Sequence, residues 1–327
     1  MTLILSRTDV LDLLSLPDCI DAVESAFRLH AEGRTLGPGV LSVHASGGGF
    51  HIKAAGMIGE RSYFAAKTNG NFSDNPRQWG LPTIQGTIVL ADAANGTPLA
   101  VMDSGSVTAL RTGAATAVAA KFLARPDART ATIVGCGVQG EVQLAAITTI
   151  LPLRRIMLVD IDHARAEELA RRVAAKHGVR LEPTKNLRDA LRDSDVCVTC
   201  TTSRRAFLEA EDISPGTFIA AVGADNPEKQ ELEPSLLASA TLVVDVLHQC
   251  AEIGELHHAL AAGVLTLERV HAELADVVVG RRPARTRPDE ITIFDSSGTA
   301  LQDVAAAVAV YEKARAAGRG TAVNLAS

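Results

Sequence analysis

The sequence predicts an α/β fold: a doubly wound parallel sheet joined to an α+β domain. Three observations predict it. Between residues 130 and 296, short apolar runs alternate with helical patterns, the rhythm of parallel strands joined by crossover helices. The N-terminal third differs, stringing strand-like runs together after one amphipathic helix. Over 130–160, an apolar run, a glycine triplet, a helix, a second apolar run and an acid follow one another.

Taken in order, residues 17–32 read as the amphipathic helix, and 50–56, 63–69, 83–92 and 98–103 have strand character. The turn signal Ala94-Asn95-Gly96-Thr97-Pro98 makes the last two a hairpin. Alanine-rich 107–124 reads as a long helix, ending at a boundary in Arg125-Pro126-Asp127. Strands are then expected over 131–134, 156–159, 179–182 (the weakest), 195–201, 217–223, 241–246 and 290–296. Helices are expected between them over 141–150, 163–177, 231–239 and 254–263. A helix over 299–317 is expected to return to the N-terminal domain, with a frayed tail from Gly318. The expected domains are therefore 1–124 with 302–327, and 125–301.

The loop Gly135-Cys136-Gly137-Val138-Gln139-Gly140 sits between the first strand and helix of the second domain. Gly135 allows the tight turn, Gly137 lets backbone approach a pyrophosphate, and Gly140 lets helix pack on strand. The helix N-terminus offers free N–H groups and positive dipole to phosphates. Asp160 lies twenty residues past Gly140 (160 − 140), where an acid bonds both ribose hydroxyls. The competing reading is a glycine-rich structural turn. Strand, helix, second strand and acid together favour a Rossmann-type dinucleotide domain. A carboxylate at Asp160 repels a 2′-phosphate, and the first basic residue after it is Arg165, so NAD(H) is expected rather than NADP(H). Asp162 reads as the N-cap of the next helix.

Bulk properties narrow the function classes. The 327 residues are 47% hydrophobic and 21% charged, with a formal charge of −6. That charge, with 3% aromatics, argues against a nucleic-acid partner. No apolar run approaches the ~20 residues of a membrane span. Met1-Thr2-Leu3-Ile4-Leu5-Ser6-Arg7 lacks a basic n-region, and the five cysteines are an odd number, so a reducing cytoplasm is expected. Cys197 and Cys200 have C-x-x-C spacing but lie in an apolar run without a second Cys or His pair; they read as small buried residues, as does Cys136.

Four charges stand against apolar surroundings. Lys53 and Lys67 interrupt strand-like runs, Arg111 lies near the start of an apolar helix, and Asp225 follows a strand. A cation near a helix start works against the dipole and makes sense if an anion is held there. Binding crevices of open parallel sheets lie beyond strand C-termini, where Asp225 is expected. The alternative is plain: each lysine snorkels from a sheet face and Asp225 caps a turn.

These residues carry a pattern. The chain resembles the ornithine cyclodeaminase/μ-crystallin family over nearly its whole length. The resemblance lies in the run from Thr108 to Ala124 that contains Arg111 and Lys121, in the 135–140 loop, in Ala221–Asp225 with Glu231-Leu232, and in the run from Ile293 to Asp303. It implies an NAD(P)-dependent enzyme acting on α-amino or α-imino acids, dimeric through its N-terminal, substrate-binding domain. Lys67 and Arg111 would bind the substrate carboxylate and Asp225 would be the acid/base group. Thr112, Gly137, Val138, Gln139 and Gly140 would hold the pyrophosphate and Asp160 the adenosine ribose. Thr83, Thr201, Val222, Lys229 and Ser296 would line the cofactor site.

Two departures separate the chain from ornithine cyclodeaminases. Lys53 replaces a Glu that holds the substrate's distal ammonium, and the stretch Gly37-Pro38-Gly39-Val40-Leu41 lacks an early Arg for the carboxylate. Lys53 reverses the electrostatics; it can replace the lost Arg or hold a second carboxylate. Three functions follow: an NADH-dependent imine reductase or amino-acid dehydrogenase, a cyclodeaminase converting ornithine to proline and ammonia, or a cofactor-binding protein without turnover. His257 and His258 are adjacent and read as surface or interface residues; Trp79 shields either a site or a dimer contact.

Overall fold

The computed structural model describes residues 1–325. Contacts divide the chain into two units: Met1–Arg111 with the segment from Thr299 onward, and Thr112–Gly298. The division falls inside a continuous helix, not at the expected Arg125-Pro126-Asp127 boundary.

Unit 1 begins with β1 (Thr2–Leu5), α1 (Arg7–Leu13) and α2 (Leu16–Ala31). Ser6 and Ser15 cap these helices, each side chain accepting from the amide of Asp9 or Asp18. On α2, Cys19, Ile20, Val23, Ala26 and Phe27 are buried at helical spacing, the face expected over 17–32. An antiparallel ladder follows in β2 (Thr35–Ala45), β3 (Gly48–Met57) and β4 (Tyr63–Asn71). After α3 (Asn75–Trp79), the expected hairpin forms from β5 (Ile84–Asp92) and β6 (Pro98–Asp103). Helix α4 (Ser104–Leu123) starts directly after β6.

Unit 2 continues with β7 (Thr130–Val134), α5 (Val138–Ile150), β8 (Arg155–Val159), α6 (His163–Val173), β9 (Arg180–Pro183), α7 (Leu187–Arg192) and β10 (Val196–Thr199). Then come β11 (Arg204–Leu208), β12 (Phe218–Ala221), β13 (Gln230–Leu232), α8 (Pro234–Ser239) and β14 (Thr241–Val244). The unit closes with α9 (Leu247–Ile253), α10 (Glu255–Ala261), β15 (Ala272–Glu273), α11 (Leu274–Val278) and β16 (Thr292–Asp295). Among the described residues, eight strands form a parallel sheet in the order β15-β14-β16-β12-β10-β7-β8-β9. The chain runs outward from β7 to β9, then returns to β10 on the other side of β7. That reversal is a topological switch point. Every residue of β10, β12 and β16 is buried, as strands covered on both faces require. The helix expected over 231–239 is corrected: Gln230–Leu232 pairs as a strand with β11, and helix begins only at Pro234.

The chain then re-enters unit 1 as α12 (Ala300–Ala317), capped by Thr299, and β17 (Thr321–Val323). The frayed tail expected from Gly318 is corrected as well. Thr321–Val323 pairs antiparallel with β1, a long-range contact that no local pattern announces; positions 326 and 327 lie outside the described residues. The sheet of unit 1 runs β17-β1-β6-β5-β4-β3-β2, which leaves β2 at an edge. Strand β4 alternates strictly at first: Tyr63, Ala65, Lys67 and Asn69 are buried on the face beneath α12, while Phe64 and Thr68 are exposed on the other. Among the described residues, no helix is long and apolar enough to cross a membrane.

Candidate active site

In unit 1 the inner sheet face carries charge. Lys53 on β3 and Lys67 on β4 are direct partners in the ladder, and both are buried, at 9% and 3% exposure. Like charges so opposed destabilise a sheet unless something compensates. Asp303 does so for Lys67. One turn into α12, it places Oδ2 2.7 Å from Lys67 Nζ and Oδ1 2.9 Å from Arg111 Nε. Gln302 Oε1 accepts from Arg111 Nη1 at 2.8 Å, and Thr108 Oγ1 accepts from Lys67 Nζ at 3.4 Å. For Lys67, the alternative of a lysine snorkelling from the sheet face is therefore overturned.

The reason for Arg111 also changes. It lies seven residues into α4 (111 − 104), about two turns from the start. Its partner is the acid on α12, not the end of its own helix. Burial pushes Lys67 down to about 7, opposed by Asp303 and reinforced by Arg111 and Lys53. Burial works against the Asp303 carboxylate too, but Lys67 and Arg111 outweigh it and hold its pKa below the usual range. Asp303 and Gln302 join this cluster without having been singled out by the sequence. Their signal is an adjacent amide and acid inside the otherwise apolar Ala300–Val310 stretch of a helix. Thr83 lies in unit 1 on the bend before β5, its carbonyl accepting from Phe72 N at 2.9 Å.

In unit 2 the glycine loop joins β7 to α5 at the switch point. Gly135 has φ 101°, and a Cβ there would lie 2.8 Å from Cys200 O. A Cβ on Gly140 would lie 2.2 Å from Gly135 O, so helix and loop touch backbone to backbone. Gly137 is the N-cap of α5, makes no side-chain cap bond, and has open space where a Cβ would stand. Val138 is 72% exposed in the first turn, and Gln139 Oε1 accepts from Gln143 Nε2 at 3.3 Å. Asp160 Oδ2 accepts from Cys136 N at 2.8 Å and Oδ1 from Asp162 N at 2.9 Å, which ties the acid after β8 to the loop after β7. Asp162 caps α6, as expected.

The loop after β10 and the loop after β12 meet on one side chain. Glu231, fully buried, accepts from Thr199 Oγ1 (2.6 Å), Thr201 N and Oγ1 (2.7 Å each) and Gly223 N (2.9 Å). A Cβ on Gly223 would lie 2.4 Å from that carboxylate. Thr201 therefore spends its hydroxyl on Glu231. Val222 is buried, its amide donating to Thr199 O at 2.9 Å. Asp225, half exposed, takes an ion pair from Lys229 Nζ at 2.7 Å. Ser296 Oγ is buried without a hydrogen-bond partner among the described residues, and Thr112, also buried, gives its carbonyl to Thr116 Oγ1.

The remaining candidates are quiet. Cys197 is fully buried on β10, and burial pushes the Cys136 thiol up to about 12. Among the described residues, no group of acids, histidines and cysteines is arranged to hold a metal. His257 and His258 are half-buried, and each ring bonds a backbone carbonyl, of Ala251 and Lys229. Trp79 is 71% exposed on α3.

A model of the ornithine cyclodeaminase/mu-crystallin family matches residues 1–318. The chain belongs to that family. Three solved structures resemble it over nearly the whole chain. An archaeal alanine dehydrogenase, a dimer with bound NAD, is 37% identical, each chain covering 99% of the other, with a TM-score of 0.94. The Thermococcus litoralis Δ1-pyrroline-2-carboxylate reductase, in complex with NADH and L-proline, is 32% identical over 98% of this chain and 100% of its own, with a TM-score of 0.94. The iminosuccinate reductase of Paracoccus denitrificans, in complex with NAD+, is 30% identical over 99% of both chains, with a TM-score of 0.91.

Proposed function

We propose that this protein is an NAD(H)-dependent oxidoreductase that reduces an α-imino acid to an L-amino acid, or runs the reverse. The observation that carries this reading is the buried pair Lys67 and Arg111, gathered on Asp303 with donors to spare. Arg111 commits Nε and Nη1, leaving Nη2, and an ammonium has a third proton beyond those facing Asp303 and Thr108. Charged donors converging in a dry site suit a carboxylate. Holding that carboxylate orients the neighbouring α-carbon, the centre that changes oxidation state. Asp225 is the proposed group that gives a proton to the imine nitrogen or takes one from the amine. Lys53, beside Lys67, is proposed to add to the grip on the carboxylate or to read a second one.

The cofactor fits unit 2. The uncapped N-terminus of α5, the open space at Gly137 and the backbone of Gly135, Val138, Gln139 and Gly140 suit a pyrophosphate. Asp160 suits a ribose, and Arg165 is turned to Asp162 (3.8 Å), which favours NAD(H) over NADP(H). Thr112, Thr201, Val222, Lys229 and Ser296 are the proposed lining, the unsatisfied Ser296 hydroxyl offering a ready donor. When bound, NADH supplies the hydride.

A homodimer is proposed as the working form. The outer sheet face of unit 1 exposes Leu36, Leu41, Val43, Phe50, Phe64 and Val89 on adjoining strands, and the archaeal relative is a dimer. Five free cysteines suit a cytoplasmic setting.

The test is loss of NADH absorbance with pyruvate plus ammonium, pyruvate plus methylamine, oxaloacetate plus ammonium, Δ1-pyrroline-2-carboxylate and Δ1-piperideine-2-carboxylate. Ornithine with catalytic NAD+ is read in parallel for ammonia. Turnover of an imine is expected, abolished by Asp225→Asn while NADH still binds. Ammonia from ornithine as the sole activity, or undiminished turnover in Asp225→Asn, overturns the reading.

A further inference from the structure

Asp303 is the acid on which the proposed carboxylate clamp is built, yet its position matches that of a competitor. It is itself a carboxylate, fully buried, with one oxygen on each cation. A residue that merely neutralised the pair would use up their donors. Asp303 does not. It takes Nε of Arg111, the nitrogen nearest the stem, while Gln302 takes Nη1, which fixes the guanidinium plane and leaves the far edge.

Lys67 needs a partner for another reason. Lys53 faces it from β3, and Arg111 stands against the same acid from α4, next to Thr108. From α2, the neighbouring ionisable group is the Cys19 thiol, which burial pushes up to about 12 and keeps neutral. Two cations and a dry surround all disfavour the ammonium; Asp303 is the group that favours it. Without that carboxylate, the lysine would shed its proton and become a weak partner for an anion.

Resting on the reductase reading, we propose that Asp303 is the positioning residue of the clamp: it sets the Arg111 plane and keeps Lys67 charged for the carboxylate of the substrate. Asp303 touches neither substrate nor cofactor in this role. Its effect passes through Lys67 and Arg111.

The test compares wild type with Asp303→Asn. In wild type, KM for the best imine should rise as pH climbs through the range in which Lys67 loses its proton. In Asp303→Asn that rise should begin about one pH unit lower, and KM at neutral pH should increase about tenfold or more. The effect on kcat should be smaller, and NADH affinity should be retained. Acidification should recover the lost affinity in the variant, which a purely structural defect would not allow. Isotope-edited NMR of the Lys67 side chain follows the same proton without turnover, so it decides the role of Asp303 even if wild type reduces no imine. A Lys67 titration equal in the two proteins overturns the inference. If Asp303→Asn does not fold, Asp303→Glu decides. It keeps the charge but moves the carboxylate by one methylene, so a lowered Lys67 midpoint with a raised KM supports the proposal, and an unchanged midpoint and KM overturn it.

Discussion

Unit 1 buries three cations, Lys53, Lys67 and Arg111, around the carboxylate of Asp303. Among the acids buried in unit 2, Glu231, Glu255, Asp295 and Asp245 are satisfied by amides and hydroxyls. The amides of Glu231 and Leu232 bond Glu255; those of Glu255 and Leu256 bond Asp295; Gly298 N and Ser297 Oγ bond Asp245. Each of these named acids thus ties one strand-end segment to the next. The difference separates two uses of buried charge. Acids that accept from fixed backbone amides have spent their capacity on the fold. Cations sharing one acid, in the proposed reading, keep donors for a ligand.

The first way to break this comparison is to remove a cation of unit 1. Arg111→Leu should cost roughly 2–5 kcal/mol of substrate binding and transition-state stabilisation, a loss of about 30-fold to a few thousand-fold in kcat/KM. NADH affinity, which belongs to unit 2 in this reading, should barely move. Steady-state kinetics with NADH titrated separately checks both. Equal losses in imine and NADH binding would show that the cluster of unit 1 is structural after all.

The second is to neutralise an acid of unit 2. In Glu231→Gln one terminal oxygen becomes an NH2 donor, which faces either Thr201 N or Gly223 N. Thr199 and Thr201 can rotate their hydroxyls to accept, but a backbone amide cannot. One buried amide then loses its bond, at a cost of about 1–3 kcal/mol, offset in part because burial already holds the Glu231 pKa above the usual range. Denaturant unfolding should show the loss. NADH binding should weaken through the Thr201 loop, and KM for the imine should change less. A variant as stable as wild type would mean that the backbone alone holds these loops.

How much of this was legible in the sequence follows the same division. The parallel sheet was readable because its strands are continuous apolar runs. The glycine loop was readable because a close backbone approach leaves a residue signature, as the 2.2 Å Cβ contact at Gly140 shows. Strand β2 was not: it sits at an edge with nearly every residue exposed, so it has no period to read. Strands β13 and β17 exist through distant partners, and three residues carry no pattern. In the site, Lys67, Arg111 and Asp225 stood out as charges in apolar surroundings, and the family resemblance supplied their roles. Asp303 and Glu231 lay within the matched segments, but what they hold depends on residues 192 and 32 positions away, for Arg111 and Thr199.

The subtlest contrast lies in pH. Burial, with Asp245 adding, raises Asp295 from an ordinary 3.8 to about 7. A raised acid binds a proton in the folded state that the unfolded chain has lost. Its stabilising contribution is full below the unfolded value and is lost as pH rises through about 7. Lys67 is displaced the other way, from 10.5 to about 7. Between those values the unfolded chain binds more protons, so its contribution to stability grows as pH rises and is lost as pH falls through about 7. Each slope is at most roughly 1.4 kcal/mol per pH unit. Hydrogen exchange, corrected for the intrinsic pH dependence, can separate the units. Protection of the Glu255 and Leu256 amides should decline towards neutrality, while that of the β4 amides around Lys67 should improve above it. Asp295→Asn should flatten the first trend alone. If both regions gain or lose protection together, the two clusters do not titrate as separate units, and the division between a structural acid ladder and a ligand-ready cation pair fails.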